Sequence, residues 1–293
     1  MTAPTLHVYG CGRAGRAIAR RLHQCGAVTV GQIVNRSPAS AMEAAAFIGA
    51  GQPRAQFTAG IDGQWLMLGL PDGALAAAVD ELRERLPGLP ALAFHLSGSA
   101  PAALLSPLGS AAAVHPLRAF ADPELAVRQF ESTWCVAEGE PTALSALRLV
   151  FERAGGRWLE FAARDKHAYH AATVVASNFL VTVQALARRL ATAAGLEPAQ
   201  AAELLVDLQR GTLQTLRDRP PKDALTGPIE RGDLAACRRL QDAAMRSLSV
   251  PEQAAFNALG QATVALAVAR RGPGDSDADL LRLFGATATS RAD

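Results

Sequence analysis

Aromatic residues make up only 5% of this 293-residue chain, and its formal net charge at neutral pH is only +2. Near-neutrality removes the electrostatic pull toward nucleic acid or an anionic membrane that a strongly basic chain would have. A basic cluster, Arg217, Arg219 and Lys222 beside Pro220 and Pro221, has no interleaved aromatics to stack on bases, so nucleic acid is not an expected partner. Cysteine is scarce too. Cys11, Cys25, Cys135 and Cys237 are scattered without a CxxC pair, which argues against a disulfide framework or a structural zinc site. No uninterrupted apolar run approaches the ~18 residues that a membrane helix takes. The opening residues, MTAPTLHVYGCG, carry neither a basic n-region nor an apolar h-region, so a cytoplasmic protein with no membrane partner is expected. No GxSxG elbow and no Cys–His constellation is present. His167 and His170 form an HxxH on one helical stretch, but no third ligand has suitable spacing and Lys166 would repel a cation, so no metal is expected.

What is present is apolar: 49% of the chain, a globular composition long enough for two domains. Up to about residue 160, short apolar runs such as LHVYG, VTVGQIVN, WLMLGL, ALAFHLSG and AAAVH alternate with helical patterns. Continuous apolar strands between helices imply a parallel sheet covered on both faces. STWCVAEG and GRWLEF add two further strand-like runs around a helical stretch. Beyond residue 161 the pattern is helical only. Pro220–Pro221 stops one stretch, Asp233 is placed to cap another, and Pro251 opens a third. The expected fold is α/β plus all-α: a Rossmann-type domain over 1–160, an all-helical substrate and dimerisation domain over 161–271, and a loose tail over 272–293 with one helical turn.

The stretch HVYGCGRAGRAIARRL places Gly10, Gly12 and Gly15 behind the first strand and at the head of the first helix. That is the context in which a GxGxxG motif binds a dinucleotide. Gly10 permits the tight turn, Gly12 lets backbone approach a pyrophosphate, and Gly15 lets helix and strand close together. Loop residues Gly10, Cys11, Gly12, Arg13, Ala14 and Gly15 are therefore expected to hold the cofactor, with free amides and the helix dipole favouring its charge. NAD sites place a carboxylate ~20 residues further on, against the ribose 2′-hydroxyl. Here the second strand ends in Asn35, Arg36 and Ser37, and an arginine fork with neighbouring donors suits a 2′-phosphate. The expected cofactor is NADP(H).

Loops after later strands should line the same crevice. Leu70, Pro71 and Asp72 are expected beside the cofactor, with capping of the next helix an alternative role for Asp72. Ser97, Gly98 and His115 are expected near the substrate. At 100° per residue, Lys166, His170, Thr173 and Ser177 share one stripe of the first C-terminal helix. Reducing a carbonyl requires a proton for the developing alkoxide, which His170 or Lys166 could supply. ALTGPIERGD reads as a helix connector capped by Asp233, or as a segment whose Thr226 and Arg231 reach a substrate carboxylate. The helical domain carries more apolar residues than one narrow stripe uses, Val174, Val175, Phe179, Leu180 and Val183 among them, so a homodimer through it is expected.

A Rossmann domain followed by a helical domain resembles the 6-phosphogluconate dehydrogenase-like superfamily, which includes ketopantoate reductases, β-hydroxyacid dehydrogenases and pyrroline-5-carboxylate reductases. More closely, HLSGS, HPLRAF, DKHAYHAATVVASNFLVTV and ALTGPIERGD resemble the Rossmann-like and DUF2520 domain-containing proteins. The likeness covers nearly the whole chain up to about Arg271. It implies an NADP-linked oxidoreductase. It also implies a substrate-orienting role for Asn178, since a Lys and an Asn on the matching helix act in the resembling dehydrogenases. There the two stand one turn apart, whereas Lys166 and Asn178 stand three turns apart. The function expected is NADP(H)-dependent reduction of a small oxo or imino acid, a carboxylate substrate; the alternative is an NADP(H)-binding redox sensor or regulatory protein without catalysis.

Overall fold

The apolar segments that alternate with helical patterns become the strands of one sheet. The computed structural model describes residues 3–285, and the chain divides into two units, Met1–Ser177 and Asn178–Asp293. In the first unit, β1 (Thr5–Tyr9), β2 (Thr29–Val34), β3 (Gln52–Arg54), β4 (Trp65–Leu68), β5 (Leu92–His95), β6 (Ser110–Pro116), β7 (Trp134–Gly139) and β8 (Arg157–Glu160) lie in the order β3-β2-β1-β4-β5-β6-β7-β8. Between them run α1 (Arg13–Gln24), α2 (Pro38–Ile48), α3 (Leu75–Arg85), α4 (Pro123–Arg128) and α5 (Pro141–Arg153). The chain moves from β1 out to β3, then returns to β4 and continues toward β8, so the direction of winding reverses between β1 and β4. Open α/β sheets bind ligands outside the carboxyl ends of the strands at such a reversal.

Both faces of the sheet are covered, which is why its strands read as apolar throughout. Leu66 and Leu68 of β4 join Ile61, Val79, Leu82 and Leu105 on one face. Met67 points the other way, into a core with Leu6, Val8, Ile18, Leu22, Phe94 and Phe151. The sheet is not wholly parallel as expected: β7 runs antiparallel to β6. The connection between them contains only the six-residue α4, and β7 starts at the end where β6 stopped. The edge strand β3 escapes a pattern search because its sequence, Gln-Pro-Arg, is exposed throughout.

Helix α6 (Lys166–Ala193) begins in the first unit and continues into the second. The sheet unit therefore extends past the expected boundary at residue 160, because the first turns of α6 bond to sheet residues. The second unit adds α7 (Pro198–Asp218), α8 (Pro221–Ala224), α9 (Leu234–Ser247), α10 (Val250–Arg271) and α11 (Asp277–Gly285). Asp233 caps α9 by accepting the Ala236 N–H at 2.9 Å. The loose tail expected from residue 272 is corrected over its first part. Asp277–Gly285 is a helix whose Leu280, Leu283 and Phe284 join Cys237 and Val264 in a core, and Asp277 is held by Arg271 at 2.5 Å. The rest of that tail, 286–293, lies outside the described residues. Helices α6 and α7 bury little of their own surface, Leu186 in one and Ala201 in the other, and leave Phe179, Val181, Leu204 and Leu208 exposed. By length and composition α6 is long and apolar enough to cross a bilayer, with a mean hydropathy of 1.3 over its most apolar window.

Three histidines sit within the sheet. His7 and His95 are 3% and 0% exposed; His115 lies near the end of β6. Burial lowers the proton affinity of His7 and of His95. Burial, reinforced by the charges of His170 and Lys166, pushes His115 down to about 4. The unfolded chain then binds protons that the folded chain refuses, so stability is full above pH ~6.5 and falls as pH drops below it. For His115 the loss continues to about pH 4 and reaches roughly 2 to 3 kcal/mol. Urea midpoints should fall steadily from pH 7 to pH 5, and His115→Gln should flatten that slope; a midpoint independent of pH would contradict the buried neutral imidazoles.

Candidate functional site

The loop between β1 and α1 turns on Gly10, whose φ of +75° is costly for any residue with a Cβ. A Cβ there would also strike the Leu70 side chain. Gly15, in the first turn of α1, has no room for a side chain either: a Cβ would stand 3.0 Å from the Gly10 carbonyl oxygen and 3.4 Å from Gly69 Cα. Gly69, just after β4, completes this contact, since its own Cβ would fall on the Gly10 oxygen and 3.0 Å from Gly15 Cα. Gly12 is different. Its φ of −68° is open to any residue, and a Cβ on it would meet nothing nearer than the Gly69 oxygen at 3.8 Å. Nothing inside the protein requires glycine there. What a side chain at this position would fill is the cavity.

That cavity measures about 1050 Å³ and is lined by Gly10, Cys11, Gly12 and Arg13, by Asn35 and Arg36 after β2, and by Gly69, Leu70 and Pro71 after β4. Helix α1 opens into it with no side-chain cap and no acidic residue in its first turn, so its free N–H groups lack an internal acceptor. The Asn35 side chain ties the loop to β2: its Oδ1 accepts the Cys11 N–H at 3.4 Å and the Arg36 N–H at 3.2 Å, and its Nδ2 donates to the Ser40 carbonyl at 3.3 Å. Arg36 is exposed at the rim. Burial pushes the Cys11 thiol up to about 12, against the opposing charge of Arg16, so it is an unreactive wall residue. Farther along, the Tyr9 hydroxyl donates to Glu81 at 2.8 Å. Four expected cofactor residues, Ala14, Gly15, Ser37 and Asp72, do not line the cavity. Gly15 faces the helix–strand contact, and the Ser37 hydroxyl is spent capping α2, where it accepts the Ser40 N–H at 3.2 Å.

A second group of side chains gathers beyond β5 and β6. Asp72 neither lines the cavity nor caps α3, which has no side-chain cap; its carboxylate accepts the Ser99 hydroxyl instead. Burial opposes its charge, but the hydrogen bonds from Ser99 and Ser97 and the charges of His170 and His95 outweigh burial and hold the carboxyl below its usual range. The Ser97 hydroxyl accepts the N–H groups of Ser99 and Ala100 at 3.1 and 2.9 Å, shaping the loop. Gly98 lies against two imidazoles: a Cβ on it would stand 2.6 Å from His170 Nδ1 and 2.7 Å from His115 Nδ1. His115 Nδ1 is 3.0 Å from the Tyr169 hydroxyl, and its ring centroid is 5.7 Å from that of His170. Thr173 bonds to the His170 carbonyl at 2.8 Å. Lys166 is engaged by Glu138 at 2.9 Å, both side chains being largely buried; Glu138 also accepts the Ala102 N–H at 3.1 Å.

Of the expected substrate and catalytic residues, Ser97, Gly98, His115, Lys166, His170 and Thr173 lie in one neighbourhood. Ser177 is exposed, and Asn178 is exposed and falls in the second unit. The stripe holds only for the turns of α6 that bond to the sheet. Sequence reasoning missed Tyr169, Glu138 and His95. Tyr169 stood beside His170 in the motif, and its alternation with the polar stripe hid it. Glu138 gives no local signal, since only the pairing of β6 with β7 sets it near Lys166. Among the described residues no three His, Cys, Asp or Glu side chains converge as a metal site. The imidazoles of His115 and His170, the Tyr169 hydroxyl and the Lys166–Glu138 pair thus share one neighbourhood.

The glycine geometry has a direct test. Gly69→Ala and Gly15→Ala should each cost ~1 to 3 kcal/mol by overpacking, lowering Tm by about 3 to 10 °C. Gly12→Ala should shift Tm by less than about 2 °C, and a large loss there in thermal denaturation would show that Gly12 is held by the fold rather than left open to the cavity.

No curated protein matches the chain. Among solved structures, protein BF3122 of Bacteroides fragilis, provisionally described as an NADP oxidoreductase, is 18% identical, covering 90% of this chain and 99% of that one with a TM-score of 0.73. The 1-pyrroline-5-carboxylate reductase of Streptococcus pyogenes is 13% identical over 96% of this chain and 100% of that one, TM-score 0.62. The Plasmodium falciparum pyrroline carboxylate reductase, solved with NADP bound, is 12% identical over 96% and 99%, TM-score 0.56. At these identities the likeness is one of fold. Residues 133–263 match the family model described as Domain of unknown function (DUF2520). That match begins at the last strands of the sheet and runs into the helical unit.

Proposed function

We propose that the protein is an NADP(H)-dependent oxidoreductase that reduces a small oxo or imino acid. The observation that carries this reading is the cavity at the reversal between β1 and β4, with Gly12 left open and Arg36 at its rim. The residues fit a dinucleotide. The uncapped start of α1 meets a pyrophosphate. Arg36 stands at the end of β2, where an NAD site would carry a carboxylate against the ribose. When bound, the nicotinamide supplies the hydride equivalent. His170 delivers a proton to the developing oxyanion or amine from its imidazole, and Gly98 keeps His170 and His115 in register. Lys166, already paired with Glu138, acts through its field rather than as a free ammonium.

The test begins with binding. Fluorescence titration should give NADPH an affinity at least 10-fold above NADH. Arg36→Ala should cost roughly 10- to 100-fold for NADPH and little for NADH, as the loss of a charge-assisted bond does. Gly12→Ala should abolish binding of both. Oxidation of NADPH is then followed with small 2-oxo acids and cyclic imino acids, where His170→Ala should lower kcat by ~100-fold with NADPH affinity intact. Equal affinity for the two cofactors overturns the cofactor reading, and full turnover by His170→Ala overturns the catalytic one.

We also propose that a second copy of the chain covers the exposed apolar residues of α6 and α7, such as Phe179, Val181, Leu204 and Leu208. Light scattering should return a dimer mass at micromolar concentration, and a monomer would count against it.

A further inference from the structure

We propose that Arg16 is a second arginine of the 2′-phosphate site, acting with Arg36; the proposal rests on the NADP(H) reading of the cavity. Arg16 lies three residues after Arg13, ~4.5 Å along the axis of α1, and lines the cavity together with Arg36, Ser40 and Glu43. Its Nε is buried without a hydrogen-bond partner. None of the ion pairs among the described residues involves it. A buried guanidinium donor without an acceptor is costly, and proteins seldom leave one. What holds the side chain there is Phe47 of α2, whose ring centroid is 5.1 Å from the Arg16 Cζ. That contact anchors the guanidinium beside the cavity.

The position selects the 2′-phosphate over the pyrophosphate. Pyrophosphate oxygens meet the free N–H groups at the first residues of α1. Arg16 is a turn further in and leans toward α2, the side of the cavity formed by Ser40 and Glu43 and reached by Arg36 at the end of β2. A phosphate there accepts from the two Nη groups of Arg16, while Arg36 binds from the exposed rim. Glu43 is an exposed carboxylate on the same wall, and the two arginines outweigh it. Arg20 supplies a natural control. It stacks on the same Phe47 ring at 4.7 Å, yet it is engaged by Glu124 at 2.6 Å and is not among the cavity-lining residues.

The experiment is fluorescence titration of NADPH and of NADH against the wild-type full chain, Arg16→Ala, Arg16→Lys and Arg20→Ala, with Tm measured for each. Arg16→Ala should weaken NADPH roughly 10- to 100-fold and NADH less than about 3-fold. Arg16→Lys, which keeps the charge and the stem but loses the fork, should recover only part of that loss; it also stands in if the alanine variant fails to fold. Arg20→Ala should bind both cofactors as the wild type does. Equal losses for NADPH and NADH would move Arg16 to the part of the ligand that both share and overturn the assignment. Unchanged NADPH affinity in both Arg16 variants would overturn it outright. A wild-type chain that binds neither cofactor would instead bring down the NADP(H) reading beneath it.

Discussion

The contact between Gly10, Gly15 and Gly69 is the constraint on which the site depends. Three residues without side chains let the start of α1 sit directly over the end of β1 and against the backbone that leaves β4. A Cβ at Gly69 would collide with the Gly10 carbonyl oxygen, and one at Gly15 would press on the same oxygen at 3.0 Å. The cavity is the space left beside that contact. Its lining combines the uncapped start of α1 with Arg13 and Arg16 of that helix and Arg36 after β2. One steric requirement thus sets the place of the cavity beside the winding reversal.

The second constraint is desolvation at the ends of β5 and β6. His95 satisfies both ring nitrogens locally: Nδ1 accepts the Ser97 N–H at 3.2 Å and Nε2 donates to the Pro101 carbonyl at 3.3 Å. That arrangement suits a neutral ring, and burial favours the same state. His115 is neutral for the same reason, with Tyr169 as its partner. Lys166 and Glu138 bring charge into the neighbourhood but cancel one another. Such a pair adds little stability, since desolvation offsets its attraction; its effect is on the field felt by the imidazoles.

The helical unit is built on a thinner margin. Its core is a small set around Cys237, Val264, Leu280, Leu283 and Phe284, with a second around Leu186, Ala244 and Leu248. Gln241, buried between them, donates to Asn257 Oδ1 at 3.1 Å and to the Leu283 carbonyl at 2.6 Å, tying α9 to α10 and α11. Helices α6 and α7 contribute almost nothing to this core from their long apolar sides. Helical stability comes chiefly from packing an apolar face, so these two elements have more apolar surface than the unit itself uses.

Much of this was legible in the sequence. Apolar runs located every strand of the sheet but β3 to within three residues, because a strand buried on both faces must be apolar at nearly every position. GxGxxG placed the loop, Asn35 and Arg36 placed the rim, and Asp233 placed a cap, since each of these is a local rule of backbone geometry or helix termini. The reversed direction of β7, the edge strand Gln-Pro-Arg and the helix at Asp277–Gly285 were not legible, because strand direction, edge pairing and the docking of a short helix are decided by distant partners. The site divides along the same line. The polar stripe Lys166–His170–Thr173 follows from helical periodicity, but its length does not: it ends where α6 leaves the sheet, which put Ser177 and Asn178 outside it. Glu138 beside Lys166, Tyr169 on His115, and the buried unpaired Nε of Arg16 were decided only by tertiary structure, because each depends on the solvent and neighbours that the packed chain removes or supplies.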